Sequence, residues 1–218
     1  MLFRGAPLRA KNSRSRPLQT YLVVDIYTDM ERSTSQEILD VAQDLCQRLG
    51  FNGFSYRDIA AKLGIKTASI HYHFATKGKL GEAILVRYRG AFAAQLSAAS
   101  AEIKDPAKRV QRLAEVLGGT LKDGNKLCLC GMFAAELESI EPDMRNQVRG
   151  FFEDAEKWLA ATLVEGKEVG VFEFDENPRT VARNYFASLQ GLAIWARVFN
   201  EPARFDIGKA WLATGITV

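Results

Sequence analysis

A single glycine, Gly64, separates two short segments that each have the pattern of a helix with one apolar face. The segment before it, Tyr56–Leu63, follows Ser55, a residue type that caps helix N-termini, and Asp58 lies where a negative charge favours the helix dipole. The segment after it covers residues 66–74. Gly64 suits the break because glycine adopts positive φ easily. Two short helices joined in this way are typical of a helix-turn-helix unit.

A longer amphipathic segment precedes this pair and would support it. Thr34 and Glu37 have the spacing of a capping box, and Ser33 with Gln36 offers a second register. Gly50 ends the segment as a C-terminal cap. The apolar residues between recur at helical spacing and are Ile38, Val41, Ala42, Leu45, Cys46 and Leu49. We therefore predict a first helix that begins near residue 34, and a three-helix domain over residues 33–80.

The outward side of the second short helix suits the major groove of DNA. Ile70 and Phe74 point inward, which leaves a small side chain at Ser69 to let the helix approach base edges closely. Tyr72 offers a ring for a thymine methyl group and a hydroxyl for phosphate. Lys66 and Lys77 add positive charge that binds phosphates and displaces counterions.

Residues 50–80 as a whole closely resemble the DNA-binding domain of the TetR/AcrR family of transcriptional regulators. The run Tyr72-His73-Phe74 and the pair Lys77 and Leu80 match that family, while His71 replaces its usual tyrosine and Gly78 an often acidic residue. The resemblance implies binding to a double-stranded DNA operator. The candidate DNA-binding residues are Ser55, Tyr56, Lys66, Thr67, Ala68, Ser69, His71, Tyr72, His73 and Lys77.

The rest of the chain also has helical patterns, so the predicted fold is all-α. Helices are expected over residues 76–100, 106–122, 142–168, 178–199 and 202–213, four of them with a proline at the start. Residues 33–80 would form the N-terminal helix-turn-helix domain. The resemblance implies that residues 81–218 form a C-terminal helical bundle for effector binding and dimerisation.

Residues 1–32 look like a basic, flexible arm, with five basic and no acidic residues among the first 20. Residues 18–26 are more apolar and fit either a short strand or an extension of the helix. Met30 could be the true start, in which case residues 1–29 would not be native.

Signatures of catalysis, metal binding and membrane insertion are missing. The chain has no G-x-S-x-G or dinucleotide-binding motif, and residues 119–126 lack the Gly-Lys-Ser/Thr ending of a P-loop. The only histidines, His71 and His73, are two apart on a helix and point to different faces, so they are not expected to share a metal. The uncharged run at residues 184–196 is too short to span a membrane. We expect a cytoplasmic protein that is not an enzyme and uses no cofactor.

We call the C-terminal helical bundle, residues 81–218, the back domain. The resemblance implies that it contains an effector pocket and that its last two helices form a dimer interface. Five aromatic residues could line an apolar pocket, or could be ordinary core: Phe92, Phe133, Phe151, Phe152 and Trp158. The helix over residues 178–199 mixes small and large apolar residues, as close helix pairs do. Its candidate interface residues are Ala187, Gly191 and Trp195.

A cysteine-containing segment could respond to effectors chemically. The run Leu127-Cys128-Leu129-Cys130-Gly131, followed by Ala135-Glu136, is similar to a segment in one branch of the family that includes a cysteine-based sensor of electrophiles. Cys128 falls on the matching position, and Lys126 lies close enough in sequence to lower its thiol pKa. The alternative is that Cys128 and Cys130 are inert core residues.

These patterns predict a homodimeric repressor that a small-molecule or electrophile effector releases from a palindromic operator. The alternatives are a transcriptional activator, or a helical protein that binds small molecules and has a vestigial DNA-binding domain.

Overall fold

The computed structural model describes the backbone of residues 18–206 and the side chains of residues 34–206. The fold is all-α, as predicted. By its internal contacts the chain divides into two units, Met1–Gln36 and Glu37–Val218. The helices are α1 (Leu18–Leu49), α2 (Tyr56–Leu63), α3 (Thr67–His73), α4 (Lys77–Glu102), α5 (Pro106–Lys122), α6 (Leu129–Ala135), α7 (Pro142–Glu168) and α8 (Pro178–Val198), with a 3-10 turn at Leu137–Ser139.

The first helix begins earlier than the sequence pattern predicts. The backbone is helical from Leu18, so the capping-box residues Thr34 and Glu37 lie inside a continuous helix and the predicted start near residue 34 is wrong. No glycine or proline interrupts residues 18–49, so nothing in the chain forces a stop at Ser33. Residues 18–26 are therefore a helix extension rather than a strand.

Several other helix boundaries are confirmed. Helices α2, α5 and α7 begin and end at the predicted residues, because Ser55, Pro106 and Pro142 mark their starts locally. Of the predicted helix at residues 202–213, only residues 202–206 are described; residue 202 lies in a turn and residues 203–206 are helical. The remainder, like the arm before residue 18, lies outside the described residues.

Helix α7 packs against α4, α5, α6 and α8, and so holds the back domain together. The buried side chains form one continuous apolar core that runs from α1 through α8. Gly81 lets Met144 and Phe51 pack closely on α4. A Cβ added at this residue would lie 2.5 Å from Met144 Sδ and 2.8 Å from the Phe51 ring. The first turn of α7 and the α1–α2 turn therefore pack directly on α4. None of the described helices is long and apolar enough to cross a membrane.

Candidate nucleic-acid interface

The turn between α2 and α3 has the geometry that the sequence predicts. The Ser55 backbone N–H and hydroxyl both donate to Asp58 Oδ2 at 2.7 Å, which fixes the start of α2. These hydrogen bonds lower the pKa of the Asp58 carboxyl. Gly64 has φ 67°, and its N–H donates to the Ala60 carbonyl. The left-handed residue ends α2 and turns the chain into α3.

Helix α3 buries one side and exposes the other. Ile70 and Phe74 are buried, which confirms their inward orientation. Tyr72 is 72% exposed, so its side chain projects from the outer side of α3. The remaining outward candidates are exposed, namely Lys66, Ala68, Ser69 and His71, while Thr67 and His73 are half-buried. The small side chains at the start of α3 leave its backbone accessible to a groove.

The side chain of Tyr56, a candidate DNA-binding residue, points into the protein and not toward solvent. Its ring is buried, and its hydroxyl donates to the Phe74 carbonyl at 2.8 Å. Burial raises the pKa of this hydroxyl to about 12. The ring also meets His71 edge to face, with centroids 4.7 Å apart. We therefore correct the role of the Tyr56 side chain, which ties the start of α2 to the end of α3.

Lys77 is also directed inward. Its ammonium donates to the Phe54 carbonyl and lies 4.7 Å and 4.6 Å from the ring centroids of Phe51 and Phe54. Burial lowers the pKa of the Lys77 ammonium. We therefore withdraw Lys77 as a phosphate-binding residue, because its ammonium contacts the α1–α2 turn instead.

A cleft of about 430 Å³ opens between the start of α2 and α3. Its lining brings together four of the predicted residues with one that the sequence analysis missed, Arg57. Arg57 is exposed and lies in the first turn of α2. The sequence did contain a signal for Arg57. This residue follows the capping residue of a helix, and the backbone N–H groups of a helix N-terminus favour anions.

The aromatic residues predicted to line an effector pocket do not all lie together. Phe92 and Phe151 pack with centroids 4.5 Å apart, within an aromatic cluster of Tyr88, Phe92, Phe151, Phe152 and Phe186 from α4, α7 and α8. Phe133 instead packs on Phe51 of the α1–α2 turn, 5.0 Å away. Trp158 donates its indole N–H to Ser100 Oγ at 2.8 Å. The structure thus brings three of the five candidates together, namely Phe92, Phe151 and Phe152.

Cys128 is buried, with 2% of its surface exposed, and the Tyr88 hydroxyl lies 3.7 Å from its sulfur. Lys126 forms ion pairs with Asp44 at 3.1 Å and Asp123 at 2.5 Å. Its ammonium is therefore held by two carboxylates. The neighbouring Cys130 is fully buried, and burial raises the pKa of its thiol.

Helix α8 carries exposed apolar residues from its middle to its C-terminal end. Ala187 and Gly191 are exposed, and Trp195 is 56% exposed. The sequence analysis missed their neighbours Ile194 and Val198, which are also exposed. We call these five residues the α8 stripe. Soluble proteins rarely leave such residues together in solvent, so the stripe stays a candidate interface.

A capped helix, a left-handed glycine turn and a second short helix with an exposed polar side define a helix-turn-helix DNA-binding regulator. The family model for "Bacterial regulatory proteins, tetR family" matches residues 38–84. A TetR transcriptional regulator from Legionella pneumophila is 32% identical, with 83% of this chain and 96% of that chain covered and a TM-score of 0.76. The chain belongs to the TetR family of transcriptional regulators, which confirms the resemblance.

Two further relatives agree. A TetR-family transcriptional regulator from Agrobacterium tumefaciens is 28% identical, covers 86% of this chain and 100% of its own length, and has a TM-score of 0.83. The HTH-type transcriptional repressor DhaR of Mycobacterium sp. (strain GP1) is 26% identical over 167 residues, which are 75% of this chain and 82% of that protein. The protein is thus a DNA-binding transcriptional regulator.

Proposed function

We propose that this regulator is a homodimeric repressor that binds a near-palindromic operator and leaves it when an effector binds. The observation that carries the proposal is that one chain has both an exposed α3 surface and the exposed apolar α8 stripe. A two-fold dimer through α8 would present two copies of α3 to one side of the duplex, about 34–36 Å apart, which is one DNA turn. Such a protein acts in the bacterial cytoplasm, and the proposal assigns it no enzymatic activity and no cofactor.

The proposed DNA contacts are of two kinds. Side chains on the exposed part of α3 would meet base edges, and Tyr72 is the largest of them. Residues beside the α2–α3 cleft would hold phosphates, with Arg57 as the cationic group and the α2 N-terminus as a donor of N–H groups. The proposed contact residues are Ser55, Arg57, Lys66, Thr67, Ala68, Ser69, His71, Tyr72 and His73.

The proposed effector is a small apolar molecule that enters near the aromatic cluster. Supporting this, the cluster joins α4, which continues from the DNA-binding domain, to α8, which carries the proposed interface. A ligand that separates these rings would favour a different arrangement of the two helices, and so a different spacing of the α3 copies. An electrophile that modifies Cys128 is the second candidate, because the thiol lies next to Tyr88 of the same cluster.

Titration of the protein against DNA from the intergenic region upstream of its own gene, followed by fluorescence anisotropy, tests the proposal. We expect two chains per site, preference over random DNA by a factor of about 10³ or more, and a steep fall of affinity with salt. Equal binding to random DNA would contradict it and favour the small-molecule-binding alternative. Transcription in vitro from the same promoter separates a repressor from an activator by the sign of the effect.

The candidate sensor thiol needs its own experiment. The parent protein and Cys128→Ser are bound to the operator and treated with N-ethylmaleimide, a quinone or hypochlorite. Release of the parent alone would assign the sensor role to Cys128. If neither protein is released, or both respond equally, Cys128 is a core residue and the effector binds without covalent chemistry.

A further inference from the structure

The side chain of Arg197, in the last turn of α8, reaches the C-terminal end of α1. Its guanidinium donates to the Gln47 carbonyl at 3.4 Å and to the Arg48 carbonyl. The last carbonyls of a helix have no partner within the helix, and a cation there also favours the helix dipole. Arg197 therefore caps α1 from a distant part of the chain.

The segment between α5 and α6 also forms hydrogen bonds with the C-terminal end of α1 and with Arg197. Gln47 exchanges two hydrogen bonds with the Leu127 backbone, at 2.9 Å and 3.3 Å, and Arg48 donates to the Gly124 carbonyl at 2.7 Å. Asn125 donates to the backbone carbonyl of Arg197 at 3.2 Å. We call these six residues the α1–α8 junction. A third helix contributes through Met132 of α6, whose sulfur lies 3.5 Å from the guanidinium.

The junction lies between the two functional surfaces. Arg197 shares its helical turn with Ile194 and Val198 of the α8 stripe. On the other side, Gln47 and Arg48 lie three and two residues before Gly50, where the chain turns toward α2 and α3. Helix α4 also connects the DNA-binding helices to the back domain. A single connecting helix leaves a domain free to pivot about it, and each further attachment restricts that freedom. The junction is one such attachment, beside the Lys126–Asp44 ion pair and the packing of Phe133 on Phe51.

We propose that Arg197 is a positioning residue for DNA binding, which fixes the orientation of α1 relative to α8 and so sets the spacing of the two α3 copies. The inference rests on the proposed homodimer. Arg197 touches no DNA in this arrangement, and it acts through the carbonyls of α1. Because its guanidinium also meets α6, movement of α6 would reach α1 through the same side chain.

Half-site spacing is the measurement that distinguishes positioning from general stability. Operator duplexes are prepared with the natural spacing and with one base pair inserted or removed at the centre. The parent, Arg197→Ala and Arg197→Lys are titrated against each by anisotropy, and sedimentation records whether each protein is a dimer. The control is Arg183→Ala, which removes an exposed ion pair between Arg183 of α8 and Glu156 but leaves the junction intact.

We expect the parent to prefer the natural spacing by at least tenfold. Arg197→Ala should remain a dimer, bind the natural operator at least tenfold more weakly, and lose most of its preference among the spacings. Arg197→Lys keeps the charge but not the paired donors. Its operator affinity and spacing preference should lie between those of the parent and Arg197→Ala. Arg183→Ala should match the parent.

Distances between the two subunits give a second measurement. A spin label on Ala61→Cys, an exposed site on α2, reports the separation of the DNA-binding domains, while the native thiols are buried. We expect a broader distance distribution in Arg197→Ala than in Arg183→Ala. If Arg197→Ala dimers keep the parent's spacing preference and distance distribution, the role of Arg197 is overturned and the dimeric repressor stands. If the parent is a monomer or fails to bind the operator, the proposed function fails and this inference with it.

Discussion

Two tyrosines of the helix-turn-helix have opposite surroundings. Tyr72 is exposed on α3, whereas Tyr56 is buried and donates a hydrogen bond to the Phe74 carbonyl. A side chain that meets DNA contributes to affinity, and one that satisfies a buried carbonyl contributes to stability. We therefore expect substitutions at the two tyrosines to affect different quantities, operator affinity at Tyr72 and stability at Tyr56.

Tyr72→Ala should weaken operator binding by about 1–3 kcal/mol, because a contact with a base edge is lost. Its free energy of unfolding should change little. Tyr56→Phe is the matched control and should show the reverse, with a loss of about 1–3 kcal/mol in stability as the Phe74 carbonyl loses its donor. Anisotropy and urea denaturation measure the two quantities. Operator affinity of Tyr72→Ala equal to that of the parent would place the α3 contacts elsewhere.

Asp44 on α1 should make stability depend on acid pH. Burial alone would raise the pKa of its carboxyl, but hydrogen bonds from Lys126 and Arg48 outweigh burial and lower it. Because the folded-state pKa lies below the unfolded one, this stabilisation is complete above about pH 5 and is lost as pH falls through the folded value. In urea denaturation between pH 7 and pH 3, Asp44→Asn should therefore show a shallower decline than the parent.

The control for this measurement is Asp175→Asn, which changes an exposed carboxylate in the connector between α7 and α8. That variant should follow the parent profile. Parallel profiles for Asp44→Asn and the parent would show that the carboxylate adds nothing to the acid dependence.

At the scale of helices, two glycines of α4 have different neighbours. An added Cβ at Gly81 meets Met144 and the Phe51 ring, whereas one at Gly90 has open space around it. Gly90→Ala should raise the free energy of unfolding by up to about 1 kcal/mol, because alanine favours a helix. Gly81→Ala should lower it by about 1–3 kcal/mol through overpacking. Denaturant titration of both variants tests the close packing of α4, and an equal gain in both would contradict it.

Helix boundaries could be predicted where a local residue sets them. Pro106 and Pro142 start α5 and α7 as expected, since proline suits a first helical turn. The start of α1 was missed because Thr34 and Glu37 have the spacing of a cap without being at a helix end. A capping pattern gives a possible start, and only the preceding chain decides whether the helix stops there.

The candidate site could be predicted only in part, for a related reason. The exposed side of α3 follows from its own periodicity, so Ile70 and Tyr72 were placed correctly. The inward positions of Tyr56 and Lys77 depend on Phe74, Phe54 and Phe51, which belong to other elements. No spacing within α2 or α4 contains that information.

For the whole molecule, the α8 stripe leads to a direct test of assembly. A Cβ at Gly191 has no neighbour within 4 Å, so Gly191→Arg should leave the folded chain intact while placing a charge in the proposed interface. We expect monomers in sedimentation and a loss of operator binding. Gly119→Arg on α5 is the control, because its surroundings are equally open, and it should remain dimeric. A dimer that survives Gly191→Arg would move the interface away from this part of α8.

In the proposed dimer, a second chain covers the exposed apolar side chains of α8, so DNA-binding activity would become a function of protein abundance. Below the dissociation constant of the dimer, the concentration of paired chains follows the square of the total. Halving the amount of protein then reduces the paired form roughly fourfold, by mass action. A promoter controlled by such a regulator would open over a narrow range of protein concentration, even with one operator and no cooperativity between sites. Through the proposed dimer, the exposed Trp195 and Val198 side chains would thus govern the sharpness of a genetic threshold.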